Sequence, residues 1–188
     1  SLGPHPKSSG QLTTDDVRMI LGAVGRVSSV MKLSLRNIVL DVTVLKALSN
    51  AVVNNTALQS LDLWNCSISQ ANTLTEILTL LQAHQSLRSL NLGANGLSDS
   101  HMVHVAQTVI RSPNLQSMDL GHNHFTPLGL STLLQIMVKA PWLESVSFSG
   151  NSRDAKSRAR GREKPGNGYL VTLANVINAL HGLRQFSC

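Results

Sequence analysis

One short sequence pattern recurs along this chain of 188 residues and constrains its fold more than any other feature. The clearest copy, residues 87–97, reads L-R-S-L-N-L-G-A-N-G-L. Complete or fainter copies begin at residues 30, 58, 87, 115, 143 and 183, which gives intervals of 28, 29, 28, 28 and 40 residues. A nearly constant period of this length predicts a row of similar structural units, with about twelve extra residues in the last interval.

The chemistry inside one copy indicates how a unit folds. Leu90 and Leu92 alternate with polar residues, which is typical of a short strand with one apolar face. Asn95 follows, and an amide there can hydrogen-bond backbone groups where the strand turns away. The order L-x-x-L-x-L-x-x-N/C-x-L resembles the leucine-rich repeat. This resemblance implies an α/β fold, a right-handed solenoid shaped as a curved horseshoe, with a parallel concave β-sheet and outer α-helices.

The remainder of each period carries apolar residues at helical spacing, for example Val44, Leu45, Leu48 and Val52. Together with the periods and the alternation of Cys66 and Asn95, these helical halves resemble the ribonuclease-inhibitor-like class of leucine-rich repeats. That class includes repeat domains of NOD-like receptors, Ran GTPase-activating proteins, tropomodulins and capping-protein regulators of actin. The resemblance covers residues 28–188. The first repeat departs from it with Ile38 at the Asn/Cys position, as expected of a terminal unit.

The repeats predict one elongated domain of about five or six units over residues 13–188. Residues 1–12 are rich in Pro, Gly and Ser and are interpreted as a linker or disordered lead-in. Thr13 to Asp16 can cap a helix whose apolar face contains Val17, Ile20, Leu21 and Val24. That helix either covers the open end of the first repeat or forms the second half of a preceding one.

The last strand pattern ends at Cys188 without a following helix, and an uncapped repeat exposes apolar surface. We therefore expect a piece of a longer protein whose end is covered by further repeats, or self-association through that edge. Two cysteines provide no disulfide framework, and neither a signal peptide nor a membrane-spanning stretch is visible. These features favour a cytoplasmic, intracellular protein and leave a nuclear location open.

Strand residues between the leucines should face the concave surface, where a partner protein would bind. Trp64 is the first candidate, since Trp and Arg are enriched at interface hot spots. It should stand beside a shallow depression over Gly93, Ala94 and Gly121. The alternative is that Trp64 packs over the neighbouring glycine or against Arg36 without a partner. The predicted partner-binding residues are Arg36, Trp64, Asn65, Asn91, Asp119 and His122.

A basic insertion at residues 152–166 carries a local charge of +4, whereas the whole chain has +6. It is predicted to be an arm for an acidic protein, anionic lipid or nucleic acid, with a nuclear-localisation patch or a solvated loop as alternatives. Its predicted contact residues are Arg153, Lys156, Arg158, Arg160, Arg162 and Lys164.

Motifs for chemistry are absent from the sequence. The pairs His101/His104 and His122/His124 have metal-compatible spacing, but no Cys pair or acidic cluster completes a zinc site. No phosphate loop or activated nucleophile is recognisable. We therefore predict a non-catalytic protein–protein interaction module without metal or cofactor, which binds its partner on the concave face or at the rim that carries the insertion. One alternative, implied by the resemblance, is a regulator of an enzyme in trans, either an inhibitor or a GTPase-activating protein. Another is a scaffold that uses the basic arm.

Overall fold

The computed structural model describes residues 12–151 and 185–187. Helices and short strands alternate along these residues. The elements in chain order are α1 (Thr14–Val24), β1 (Lys32–Ser34), α2 (Val42–Asn54), β2 (Ser60–Asp62), α3 (Ala71–Ala83), β3 (Ser89–Asn91), α4 (Asp99–Ile110), β4 (Ser117–Asp119), α5 (Pro127–Met137), β5 (Ser145–Ser147) and β6 (Gln185–Ser187).

The six strands form one parallel sheet in chain order, and each strand pairs with the next. Equivalent repeat positions lie opposite one another: Ser60 pairs with Ser89, Ser89 with Ser117, and Ser117 with Ser145. After residues 152–184 the chain returns to the next place in the sheet, because β6 pairs with β5. The predicted α/β leucine-rich repeat solenoid is therefore confirmed.

The core lies between the sheet and the helices and is built from the repeated apolar positions. The central residues of β1 to β5 are all buried: Leu33, Leu61, Leu90, Met118 and Val146. A second buried row follows two residues later: Leu35, Leu63, Leu92, Leu120 and Phe148. Aligned rows of this kind join the units into one continuous core. Burial of each apolar side chain stabilises the folded chain by about 1.5 to 3 kcal/mol.

Side-chain caps begin α1 and α2, and the cap of α1 lies at the residues 13–16 that were predicted to form it. The Thr13 side chain accepts a hydrogen bond from the Asp16 N–H, and the Asp16 carboxylate accepts one in return from the Thr13 N–H. At α2, Asp41 Oδ1 accepts from the backbone of Thr43 and Val44. The hydroxyl of Thr43, foremost, and these backbone groups hold the pKa of Asp41 below its ordinary value.

Helix α1 packs against α2 in the outer layer, which is the place that the second half of a repeat would occupy. It buries Val17 and Leu21 and half-buries Val24. Ile20 was predicted on the same apolar face, but its side chain is 45% exposed. The reason is that α2 covers only one side of α1. Within the described ranges, no helix is long and apolar enough to cross a membrane.

Candidate functional site

A buried row of polar residues holds the turns that follow the strands. Asn95 is its clearest member, because both ends of its side chain are hydrogen-bonded. Its Oδ1 accepts from the N–H groups of Cys66 and Ile68, at 2.7 and 3.3 Å. Its Nδ2 donates to the carbonyl oxygens of Leu63 and Gly93, at 2.8 and 3.0 Å. One amide therefore joins two consecutive repeats.

Asn123 makes the same connection one repeat later. Its Oδ1 accepts from the backbone of Asn95 and Leu97, while its Nδ2 donates to Leu92 and Leu120. We call the equivalent positions the asparagine ladder: Cys66, Asn95, Asn123 and Asn151.

Cys66 substitutes for asparagine at its place in the asparagine ladder. Its thiol donates to the carbonyl oxygen of Leu35 at 3.0 Å, and burial raises the pKa of this thiol to about 11. The first repeat has the half-buried Ile38 instead, so the polar connection begins only with the second unit.

A second polar row lies at the concave ends of the strands. Asp62, Asn91 and Asp119 each use Oδ1 to accept a hydrogen bond from the backbone N–H two residues later, at 3.1, 2.8 and 2.8 Å. We call these three residues the turn row. Each side chain is half-buried and thus still reaches solvent. Asn91 and Asp119, predicted as partner contacts, therefore also stabilise local turns.

The Trp64 indole covers Gly93 of the next repeat. A Cβ atom added at Gly93 would lie 2.3 Å from Cε3 of the indole, so only glycine permits this ring position. The depression predicted over Gly93 is wrong, because the indole itself fills that space. Trp64 remains half-buried and therefore presents part of its surface to solvent.

Arg36 flanks the indole on the side of the first repeat. Its guanidinium carbon lies 5.4 Å from the Trp64 ring centroid, within the range of a cation–π contact. Its Nε also lies 3.1 Å from Oδ2 of Asp62. Asp62 consequently orients Arg36 while its other oxygen caps the turn at Trp64.

His122 flanks the indole on the opposite side, two repeats after Trp64. The two ring centroids are 5.2 Å apart at an interplanar angle of 68°, an edge-to-face arrangement. The small Gly93 and Ala94 of the intervening repeat allow this contact. Arg36, Trp64 and His122 thus form one continuous feature across four repeats, which we call the aromatic ridge.

The backbone beside the aromatic ridge repeats a left-handed conformation in five successive units. The residues concerned are Asn37, Asn65, Ala94, His122 and Gly150, with φ between 54° and 75°. Asn and Gly tolerate this region well, His is moderately enriched in it, and Ala is not. Asn65, a predicted partner contact, is exposed and donates from Nδ2 to Asn37 Oδ1 at 2.9 Å.

A row of four identical residues lies on the concave face but was not predicted as part of the site. It consists of Ser60, Ser89, Ser117 and Ser145, which stand side by side in β2 to β5 and are half-buried. We call this row the serine floor. Its signal in the sequence was the recurrence of serine directly before the central apolar residue of the strand.

The predicted histidine pair of α4 lies on an outer helix and not on this surface. The basic residues Arg153, Lys156, Arg158, Arg160, Arg162 and Lys164 lie outside the described residues. His101 accepts a hydrogen bond from the Ser98 N–H through Nδ1 at 2.9 Å and so caps α4, while His104 is exposed on the same helix. In residues 12–151 and 185–187, no group of three His, Cys, Asp or Glu side chains could hold a metal ion.

Comparisons with known proteins agree with this geometry. The family model described as "Leucine Rich repeat" matches residues 111–134. No curated protein matches the chain significantly. A solved structure of leiomodin-1, titled for its actin-binding site 2, is 14% identical, with a TM-score of 0.66 and 91% of each chain covered.

The C-terminal domain of tropomodulin from Caenorhabditis elegans is similar too. It is 13% identical, with a TM-score of 0.50, and the match covers 92% of this chain and 81% of that domain. Identities this low support the fold and nothing finer. The parallel sheet, the outer helices, the asparagine ladder and these matches together show that the chain folds as a leucine-rich repeat domain.

Proposed function

We propose that this chain is a non-catalytic protein–protein interaction module that binds its partner on the concave face. The observation that carries this proposal is the aromatic ridge beside the serine floor. The ridge is held in place by Gly93 beneath the indole and by Asp62 behind Arg36. Side chains that are ordered before binding lose less entropy when a partner docks, so the same contact area yields more affinity.

The chemistry of the two features suits recognition of a protein. Trp and Arg are enriched among residues that dominate binding energies, because they combine a large contact area with a polar group. The serine floor is small and polar, so the side chains of a partner could approach the backbone of the sheet closely. The aromatic ridge would then contact one side of a segment that lies across the strands.

The similar proteins suggest where to begin the search for a partner. The leiomodin-1 structure is titled for an actin-binding site, and the sequence pattern resembles a class that includes tropomodulins. Actin is therefore the first candidate to test. The ribonuclease-inhibitor-like class remains a prediction. The electrostatic role of residues 152–166 is a second prediction, which a variant with a neutralised insertion can address.

The test is retention of proteins from a cell lysate, with purified actin as a separate probe. The immobilised chains are the wild type, Trp64→Ala, Trp142→Ala and a variant with the six basic residues of the insertion neutralised. Trp142 is the matched control, because it is also half-buried but packs against the core. All four chains are first compared by thermal unfolding to separate lost binding from lost structure.

We expect Trp64→Ala to reduce retention of a specific partner about tenfold or more, since hot-spot residues contribute about 2 kcal/mol or more. Trp142→Ala should retain the partner as long as it folds. Loss only with the neutralised insertion would transfer the binding site to that arm. Equal retention by the wild type and Trp64→Ala would contradict the proposal.

A further inference from the structure

The two carboxylates of the turn row have different electrostatic surroundings. Asp62 is paired with Arg36 through Oδ2. Asp119 uses Oδ1 for its turn, and within the described residues its Oδ2 has neither a hydrogen bond nor an ion pair. This oxygen is also not among the buried polar atoms without a partner. Among the residues that the structure describes, Asp119 thus presents a negative charge without a cationic partner on the concave face.

That charge is not needed to form the turn. Asn91 occupies the equivalent position one repeat earlier. Its neutral amide oxygen accepts from the Gly93 N–H at 2.8 Å, the same distance at which Asp119 Oδ1 accepts from the Gly121 N–H. The repeat itself therefore demonstrates that asparagine would satisfy the local backbone at residue 119. The carboxylate of Asp119 adds a formal charge to the surface without adding a hydrogen bond to the fold.

The neighbours of Asp119 on the concave face are small and supply oxygen atoms. Ser117 and Ser145 of the serine floor are small, and Ser147 pairs with Asp119 across β4 and β5. Ser147 Oγ and the Ser149 carbonyl oxygen lie within 3.8 and 2.9 Å of the Cβ position that Gly121 lacks, and Asp119 Oδ1 lies within 3.0 Å of it. The Ser149 carbonyl already accepts from the His122 N–H and Asp119 Oδ1 from the Gly121 N–H, so the acceptor offered to a donor-rich cation is Asp119 Oδ2.

We propose that the partner protein inserts a lysine or arginine side chain next to Asp119. This inference rests on the proposed concave-face function and specifies the chemistry of the partner. The partner segment that binds here would carry one cationic side chain among small and polar residues. Arg36 cannot be its source, because Asp62 already holds that guanidinium beside Trp64 at the other end of the aromatic ridge.

The experiment uses the full chain and a random twelve-residue peptide library displayed on phage. Selections are made in parallel against the wild type, Asp119→Asn, Asn91→Asp and Ser89→Arg. Asp119→Asn removes only the charge, Asn91→Asp adds one at the equivalent position, and Ser89→Arg blocks the serine floor. Thermal unfolding of Asp119→Asn should match the wild type, because Asn91 already makes this turn.

Peptides selected by the wild type should be enriched in Lys and Arg relative to those selected by Asp119→Asn. The best of them should bind Asp119→Asn about tenfold more weakly at low salt, since charge-assisted hydrogen bonds are the stronger kind. Peptides selected by Asn91→Asp should be at least as rich in Lys and Arg as those selected by the wild type, because the added carboxylate lies on the same face. Equal Lys and Arg frequencies, or no retained peptide, would overturn the inference.

The Ser89→Arg variant distinguishes failure of the Asp119 inference from failure of the proposed concave-face function. If Ser89→Arg abolishes retention but Asp119→Asn changes nothing, the concave face binds peptides without the predicted cation, and only the inference fails. If peptides bind all four chains equally, the concave face is not the binding surface, and both proposals fail. If the basic insertion of this chain occupies Asp119, the wild-type selection lacks basic peptides, which also overturns the inference.

Discussion

The asparagine ladder and the turn row contain polar side chains at fixed places in the second to fourth repeats, yet the two rows have different physical roles. Asn123 uses its carbonyl oxygen and its amide nitrogen to join adjacent units in the buried interior. Asp119 uses one oxygen for a local turn and leaves the other available on the concave face. Burial limits the first position to residues that satisfy the surrounding backbone, as Asn123 and the Cys66 thiol do, whereas exposure allows the second to vary with the partner.

This difference explains why the turn row contains both charged and neutral residues, whereas the asparagine ladder contains only neutral ones. Asn95 and Asn123 have the same residue type because each must satisfy backbone donors and acceptors on both sides. Asp62, Asn91 and Asp119 need only one acceptor oxygen, which either residue type provides. The asparagine ladder thus stabilises the fold, and the turn row is where the repeats can encode specificity.

The largest expected effect comes from breaking the asparagine ladder. Asn123→Ala leaves two buried N–H groups and at least two carbonyl oxygens without their partner. We expect the free energy of unfolding to fall by about 3 kcal/mol or more, measured by urea denaturation. Asn91→Ala is the control in the turn row and should cost about 1 kcal/mol. Equal losses of unfolding free energy in Asn123→Ala and Asn91→Ala would contradict the different roles of the asparagine ladder and the turn row.

The next effect concerns the packing that positions the aromatic ridge. Gly93→Ala places a methyl group where the Trp64 indole now lies, so the ring must move away from His122. We expect a loss of about 2 kcal/mol in unfolding free energy. In a Trp64→Ala background the same change should be nearly neutral, since the conflicting ring is gone. An equally large loss in both backgrounds would show that the backbone at Gly93, and not the indole, requires glycine.

A pH-dependent effect is expected from Cys66, whose thiol is buried inside the asparagine ladder. Burial raises its pKa from 9.0 to about 11. The unfolded thiol therefore ionises first as pH rises, and stability that is present below pH 9 is lost between about pH 9 and pH 11. Between pH 8 and pH 10 the wild type should lose about 1 kcal/mol more than Cys66→Ala in urea denaturation. Parallel pH dependence of the two chains would contradict a buried, protonated thiol.

The smallest effect should follow loss of the exposed ion pair between Arg36 and Asp62. Asp62→Asn keeps the acceptor oxygen of the turn but removes the charge that holds Arg36. We expect at most about 0.5 kcal/mol in unfolding free energy, declining with added salt, because exposed ion pairs contribute little. A loss as large as that of Asn123→Ala would mean that the turn row is as important to the fold as the asparagine ladder.

The repeat period predicted the fold well because the same physical requirement recurs in every unit. Buried leucines and a buried amide must return at the same place for the units to stack, so Leu90, Leu92 and Asn95 could be assigned from one copy. Ile20 shows the limit of helical periodicity. The pattern identifies an apolar face of α1, but it does not indicate how much of that face a neighbouring helix covers.

The candidate site was only partly predictable for a different reason. Strand alternation placed Trp64 on the concave face, but it does not determine the rotamer that directs the indole across Gly93 to His122. Likewise, the sequence placed Asp62 and Asp119 in equivalent positions, but only the three-dimensional structure distinguishes a carboxylate paired with Arg36 from one without a cation.

The measurement that tests the central claim most directly compares two serine-to-arginine variants. Ser89→Arg fills the serine floor, whereas Ser100→Arg adds the same side chain to the exposed side of α4. Retention of partners or selected peptides is measured for both, together with thermal unfolding. The account predicts that Ser89→Arg abolishes binding, that Ser100→Arg preserves it, and that both unfold like the wild type. Undiminished binding by a folded Ser89→Arg chain would contradict the claim that the concave face is the interaction surface.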